Sequence, residues 1–190
     1  MHLREAVATD AETVALLHTA SWRDAYSNVL DATYLAGPIE KERLAYWKSE
    51  LAAADAGQRV VLAEAEGNAV GFVCVRWPGD PAWGAWVSNL HISRASRGKG
   101  AGRQLLRAAA TWVTSIDARS GLHLWVFEAN EPALSFYRHL GGEIVEKSAS
   151  EIPAANGAPI NRVWWRRATA ILSASSDRRS GRPGRPGRRP

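Results

Sequence analysis

The sequence predicts an α/β (α+β) domain in which a mixed β-sheet of about seven strands is flanked by about four helices. Segments with apolar residues at helical spacing alternate with short strand-like segments, in the order β-α-α-β-β-β-α-β-α-β-β. A glycine-rich turn joins one of the central strands to a helix. The 190 residues are enough for one domain with a substantial core.

The N-terminal region combines one strand with two helices. A strand is predicted at residues 2–6, followed by a helix from about 10 to 24. Thr9 and Glu12 have the spacing of a capping box, which predicts Thr9 as the N-cap. A proline near its start and apolar residues at helical spacing predict the second helix over 39–54.

The middle of the chain changes to strand periodicity. Segments 60–64 and 70–75 are predicted to form a hairpin, with Gly67-Asn68 supplying the positive φ of its turn. A third strand is expected at 85–92. After the glycine-rich turn, apolar residues at helical spacing predict a helix over 100–116.

The remaining elements repeat the alternation. A strand is predicted at 122–128, then a short helix over 131–140 for which Asn130 is a suitable N-cap. Strands at 143–147 and 161–167 complete the sheet.

The charge of the chain is concentrated at its C-terminus. Residues 173–190 contain six arginines and one aspartate, which accounts for the whole formal net charge of +5 and leaves residues 1–172 neutral. This segment has hardly any apolar residues, so we expect a disordered tail after a domain at 1–172. The neutral body makes a nucleic-acid partner unlikely as the main function.

Composition also narrows the type of site. Cys74 is the single cysteine, which excludes an intrachain disulfide and a cysteine-based zinc site. The five histidines lack the spacing of a known metal motif, so we expect no metal. The sequence has no long apolar run, and we expect a cytoplasmic protein without a membrane partner.

The glycine-rich turn is the strongest chemical signal. Backbone N–H groups of residues 98–102, at the start of a helix, form a site suited to an anion, and glycines let a phosphate approach closely. Arg97, Lys99 and Arg103 can add positive charge at the rim. The turn completes neither the dinucleotide-binding pattern nor the P-loop pattern, so a nicotinamide or nucleoside triphosphate is disfavoured.

Two motifs in this order and spacing resemble those of the GCN5-related N-acetyltransferases (GNAT family). The first is the acetyl-CoA motif Gln/Arg-x-x-Gly-x-Gly/Ala, in which Arg97, Gly100 and Gly102 occupy the fixed positions. Leu90-His91-Ile92 precedes it as the family's strand does. The second motif lies downstream and comprises Asn130, Ala133, Phe136, Tyr137, Leu140 and Gly141.

The resemblance implies a GNAT-like sheet and acetyl-CoA as co-substrate. It implies that the strand at 90–92 splays from the strand at 122–128, that the N–H of Ile92 stabilises the oxyanion, and that Tyr137 protonates the leaving thiolate. The implied donor site comprises Leu90, Ile92, Arg97, Gly98, Lys99, Gly100, Ala101, Gly102, Arg103, Asn130, Ala133 and Tyr137.

The general base and the acceptor are less well specified. Many relatives place a glutamate on the strand before the turn, but this chain has no carboxylate between Pro81 and Asp117. His91, Glu128 and Asp24, each acting through water, remain candidates, as does deprotonation by bulk water. His91 alternates with its neighbours on the strand, so it can face a helix instead of the substrate.

The acceptor pocket is expected in the segment 22–26. Trp22, Asp24 and Tyr26 combine aromatic rings with one acid, which suits a cationic amine, although a hydrophobic cluster that fixes a loop explains them equally well.

We therefore expect an acetyl-CoA-dependent N-acetyltransferase in which an amine attacks the thioester directly. The acceptor is a small-molecule amine or a protein amino group. The alternative is a non-catalytic module of the same fold that binds acyl-CoA as a sensor. A homodimer would be consistent with such a domain.

Overall fold

The computed structural model describes residues 1–53 and 55–174. Seven strands form one sheet in the order β1-β2-β3-β4-β5-β7-β6, in which only β4 and β5 are parallel neighbours. This confirms the predicted mixed sheet and its strand count. The strands are β1 His2–Glu5, β2 Gln58–Ala65, β3 Asn68–Asp80, β4 Gly84–Ile92, β5 Leu122–Phe127, β6 Glu143–Ala149 and β7 Pro159–Trp165.

Helices cover both faces of the sheet. Helices α1 and α3 pack on one face, and α4, α5 and α6 pack on the other. No helix within residues 1–53 and 55–174 is long and apolar enough to cross a membrane. The helices are α1 Ala11–Ala25, α2 Ala32–Ala36, α3 Pro38–Ala52, α4 Ala101–Ile116, α5 Glu131–His139 and α6 Thr169–Ser173.

The core on the α4 face is built from small and branched residues. Leu105, Ala109 and Val113 recur along α4 and are all fully buried against the sheet. This pattern explains why the helix forms and which side it buries. The buried face ends before the last turn of the helix, where Ile116 is 45% exposed.

The core on the α1–α3 face is aromatic. Trp47 of α3 is fully buried and packs edge-on against Phe72 of β3, at 5.1 Å between ring centroids. Its indole N–H donates to Nδ1 of His18 on α1, at 3.0 Å. This hydrogen bond ties the two helices together beneath the sheet.

Local details differ from the sequence prediction at the start of α1 and in one turn. Asp10, not Thr9, precedes α1, and the Asp10 carboxylate accepts a hydrogen bond from the Val7 amide at 2.8 Å. In the β2–β3 hairpin the positive φ angles belong to Glu66 and Gly67. Asn68 already lies in β3.

Two short helices were not expected. Helix α2 begins after Asp31, whose carboxylate accepts from the amides of Thr33 and Tyr34. Helix α6 ends at Ser173, so the first residue of the predicted disordered tail is helical. Ala174 is also described, whereas residues 175–190 of that tail lie outside the described residues, as does Ala54 at the end of the predicted second helix.

Replacing Trp47 by Phe should destabilise the fold by about 2–3 kcal/mol, since it removes volume from the core and leaves the buried Nδ1 of His18 without its donor. Urea unfolding followed by circular dichroism would measure this. The matched change Trp86→Phe, at a residue 37% exposed, should stay within about 0.5 kcal/mol. Equal losses in the two variants would contradict the assigned role of Trp47.

Candidate active site

The site begins where β4 and β5 stop pairing. Only Ala85–Leu122 and Trp86–His123 are in register between these parallel neighbours. On its other side β4 stays paired with β3, with a register shift that leaves Ser88 as one extra residue in β4. Such a bulge increases the twist of a strand, and beyond it β4 turns away from β5. The resulting cleft, of about 1890 Å³, is larger than the roughly 300–1,000 Å³ usual for one small ligand.

Backbone groups of β4 face this cleft. The Ser93 amide donates to the Val70 carbonyl at 2.8 Å, which sets the alternation of hydrogen bonds between β3 and β4. By that alternation Leu90 and Ile92 direct their N–H and C=O groups away from β3 and into the gap beside β5. The splayed strand implied by the sequence is therefore present.

A second set of N–H groups lies at the glycine-rich turn after β4. Gly98 and Gly100 have φ angles of 74° and 86°, which residues with a side chain adopt only at a cost. Gly100 is the N-cap of α4. Within the described residues, nothing accepts a hydrogen bond from the amides of 98–103. These amides and the positive end of the α4 dipole together offer donors suited to an anion.

Two of the three cations predicted at the rim of this turn contact other parts of the protein. Arg97 forms an ion pair with Asp24 at the end of α1. Arg103 donates to the carbonyl of Ala174, just after α6. Arg103 also borders the cleft, so its predicted place at the rim stays a prediction. Lys99 is exposed, and no ion pair to it occurs in the part of the chain that the structure describes.

The first turn of α4 is packed tightly against α5. A Cβ atom on Gly102 would lie 3.3 Å from the ring of Phe136, so a larger residue would push the helices apart. Ala101 is 1% exposed in the same contact region. At the start of α5 the Asn130 side chain accepts from the Ala133 amide at 3.3 Å, as expected for an N-cap.

Tyr137 lies on α5 at the wall of the cleft. It is 7% exposed, and its ring packs edge-on against Trp165 at 6.0 Å. Burial, and secondarily the nearby Tyr26, raise the pKa of the Tyr137 phenol well above its ordinary value. The phenol is therefore protonated at neutral pH, as a proton donor must be.

His91 faces α1 rather than open solvent, as strand alternation predicted. Its Nδ1 lies 3.0 Å from the Ser21 hydroxyl, and its ring stacks on His18 at 4.5 Å between centroids. Burial, followed by the charges of Arg97 and Arg43, lowers the pKa of His91 to about 3. A neutral imidazole with this pKa is a weak base for an alkyl ammonium group.

Glu128, the second candidate base, does not line the cleft. Its carboxylate forms an ion pair with Lys147 of β6, with 2.6 Å between Oε2 and Nζ. Lys147 lies on β6, the edge strand of the sheet. A carboxylate held there is in the wrong place to take a proton from an amine beside Ile92. The structure thus speaks against this prediction.

The segment 22–26 lines the cleft, but its charges are already paired. Asp24 contacts both Arg97 and Arg94, the latter at 3.2 Å. The guanidinium of Arg43 lies 5.2 Å from the centre of the Trp22 ring. Tyr26 packs on Phe127 and accepts a hydrogen bond from Asn130 at 3.4 Å. The expected pocket for a cationic amine is therefore occupied by the protein's own arginines.

Sequence reasoning missed two arginines of the cleft. Arg43 lies on α3, where a cation at a helix surface usually faces solvent. Arg162 lies on β7, is held by Glu146 at 2.7 Å and stacks 4.4 Å from the centre of Trp125. A charged residue within an apolar strand, beside Val163 and two tryptophans, is the signal that marks Arg162 in the sequence.

Buried histidines should make the fold sensitive to acid. Burial is the main cause that holds the pKa of His91 near 3, that of His123 near 4 and that of His18 well below 6.5. Between these values and 6.5 the unfolded chain binds protons that the folded chain does not, so the unfolding free energy should fall as the pH falls below about 6.5. His91 alone contributes up to about 1.4 kcal/mol per pH unit.

Urea unfolding at pH 7, 6 and 5 would measure this slope. His91→Asn should lower the number of protons taken up on unfolding, which sets this slope, by about one. The same change at the exposed His139 should leave the slope unchanged. A slope that His91→Asn does not alter would contradict the burial of a neutral imidazole at this position.

Comparisons with known proteins agree with this geometry. Residues 19–141 match the family model described as "Acetyltransferase (GNAT) family". The chain is 27% identical over 166 residues to YuaI, an uncharacterized N-acetyltransferase of Bacillus subtilis (strain 168), across 85% of this chain and 91% of that protein. It is 34% identical over 95 residues to streptothricin acetyltransferase of Streptomyces lavendulae, across 46% of each chain.

A solved structure supports the fold. The chain resembles the PaiA N-acetyltransferase of Thermoplasma acidophilum in complex with coenzyme A, with a TM-score of 0.69 and 18% identity. The match covers 85% of this chain and 96% of that one.

Proposed function

This chain belongs to the GNAT family of acetyltransferases, and on that premise we propose that it transfers the acetyl group of acetyl-CoA directly to an amine. One observation carries the proposal. The Ile92 amide, the free amides of the glycine-rich turn and the Tyr137 phenol all border the same cleft between β4 and β5.

The main chain would hold the donor. Amides of residues 98–103 are free to donate to the pyrophosphate of CoA. The backbone groups of Leu90 point into the gap beside β5, where they can pair with the amides of the pantetheine arm. Asn130 and Ala133 border the same gap from α5, and Lys99 and Arg97 stand at the rim of the turn.

Two groups would serve the chemical step on the acetyl thioester that acetyl-CoA supplies. The Ile92 N–H donates to the carbonyl oxygen as negative charge develops on it. Tyr137 donates its proton to the sulfur of the leaving group. Its raised pKa keeps the phenol protonated across the neutral pH range.

Water in the open cleft would accept the proton of the amine. The carboxylate of Asp24 is paired with arginines, and the low pKa of His91 makes it a poor proton acceptor. The enzyme would then depend on the fraction of amine that is already neutral. His91 and Ser21 would serve to orient water rather than to take the proton themselves.

A module of the same fold that binds acyl-CoA without catalysis is the competing proposal. Both proteins would bind CoA, so binding alone does not separate them. A buried, protonated phenol in the same cleft as the Ile92 amide favours the enzyme, since binding has no need of it.

The decisive experiment follows thiol release from acetyl-CoA in the presence of a panel of amines. We expect release that depends on the amine, and kcat/KM that rises about tenfold per pH unit up to the pKa of that amine, without a step near pH 6.5 from His91. CoA binding without release for any amine would support the non-catalytic alternative.

Tyr137→Phe should lower kcat by about 10²–10⁴-fold, the range for loss of a general acid, with little change in the Kd for CoA. Calorimetric titration with CoA and steady-state kinetics would separate the two effects. The matched control Tyr34→Phe removes a hydroxyl from the outer part of the cleft and should keep kcat nearly intact. If Tyr137→Phe keeps full turnover, Tyr137 is not the acid.

A further inference from the structure

Arg43 is an incompletely satisfied cation in the wall of the cleft that α1 and α3 form. Its side chain is only 21% exposed. Its Nε is buried, and no acceptor lies within hydrogen-bonding distance of it among residues 1–53 and 55–174. A buried guanidinium is costly unless it is paired and hydrogen-bonded, so this residue calls for an explanation.

The guanidinium of Arg43 lies against two aromatic rings, which offer it no hydrogen-bond acceptor. The guanidinium carbon lies 5.2 Å from the ring centre of Trp22 and 5.3 Å from that of Tyr46. Aromatic rings stabilise the flat faces of the cation and leave its N–H groups free. Such an arrangement presents a planar donor fork, which matches the two oxygens of a carboxylate.

The nearest carboxylate does not fill this role. Oε2 of Glu42 lies 3.9 Å from Nη2 of Arg43, beyond hydrogen-bonding distance, and 52% of the Glu42 side chain is exposed. The same Oε2 accepts a hydrogen bond from the Tyr34 hydroxyl at 3.0 Å. Glu42 therefore screens Arg43 in part without satisfying it.

A second donor lies in the same wall. Nδ1 of His18 accepts from Trp47, so the proton of this neutral ring is on Nε2. That Nε2 is buried and without a partner among the described residues, and His18 lines the cleft. Burial is the main cause of the lowered pKa of His18, and the charge of Arg43 adds to it.

The other acids of this wall are already engaged. Asp24 is paired with Arg97 and Arg94, and Glu50 is paired with Arg76. Glu42 is the carboxylate of this wall that lacks a hydrogen bond to a cation, and it is half exposed at the edge of the cleft. The donors of Arg43 and His18 therefore remain for an anion.

We propose that Arg43 binds a carboxylate of the acceptor. The acceptor is accordingly a free amino acid, which carries both an amine and a carboxylate. This inference rests on the proposed acetyl transfer and adds the class of substrate. The carboxylate docks on the guanidinium between Trp22 and Tyr46, and the amine extends toward the acetyl group beside Ile92.

The test compares amines that differ only in the carboxylate. The pairs are L-lysine with cadaverine and L-phenylalanine with phenethylamine, and L-phenylalaninamide keeps the size but removes the charge. For a pair that is acetylated, the amino acid should have a kcat/KM at least about tenfold higher, through a lower KM, because its carboxylate meets a charged fork. Equal or reversed preference would overturn the proposal.

Variants then assign the preference to Arg43. Arg43→Gln should abolish it by raising KM for the amino acid at least about tenfold. Arg43→Lys should keep part of it, because the charge remains and the fork is lost. Arg119→Gln, at a side chain 88% exposed, removes the same charge elsewhere and should change nothing. A preference that survives Arg43→Gln would also overturn the proposal.

Two further measurements keep a folding defect and a failed enzyme assay from obscuring the result. The Kd of each variant for CoA reports whether the fold and donor site are intact. Calorimetric titration of the CoA complex with the same amino acids and amines reports carboxylate binding without turnover. If no amine is acetylated but Arg43 still selects amino acids in this titration, only the catalytic proposal fails. If the wild type binds both members of each pair equally, or binds neither, the carboxylate site is wrong.

Discussion

The whole site depends on the way β4 keeps its hydrogen bonds to β3 but loses those to β5. Strand β4 is paired with β3 over most of its length, and a bulge at Ser88 gives it a twist that the parallel neighbour β5 does not follow. Past Trp86 the facing edges of two central strands therefore have no partner in each other. Buried main-chain groups left in this state would cost several kcal/mol. They are tolerated because the gap stays open as a cleft.

The surrounding elements keep that gap open instead of closing it. Helix α4 fills one face with small residues, so its N-terminal turn reaches the mouth of the gap without covering it. On the other face the bond between Trp47 and His18 holds α1 and α3 together as one wall. The ion pair of Asp24 with Arg97 then ties the end of α1 to the turn that precedes α4.

The sequence pattern predicted the features that depend on neighbouring residues alone. The seven strands and four longer helices follow from periodicity, and the glycine-rich turn follows from the need for positive φ at Gly98 and Gly100. Ion pairs and hydrogen bonds between elements distant in sequence could not be predicted from these local patterns. Arg103 and Glu128 carry charges that suit the predicted site, yet each is paired with an element distant in sequence. Only the tertiary arrangement decides which cation meets which acceptor.

Reliance on main-chain N–H groups has an evolutionary consequence. In the proposed donor site, the peptide backbone of β4 and of the turn holds acetyl-CoA and makes few demands on side-chain identity there. Positions such as 90, 92 and 101 can drift among residues of suitable size while the chemistry persists. Selection for a new acceptor can then act on the opposite wall, where Arg43 and its aromatic neighbours stand, without disturbing the handling of the donor. Such a division allows substrate range to diversify faster than reaction type.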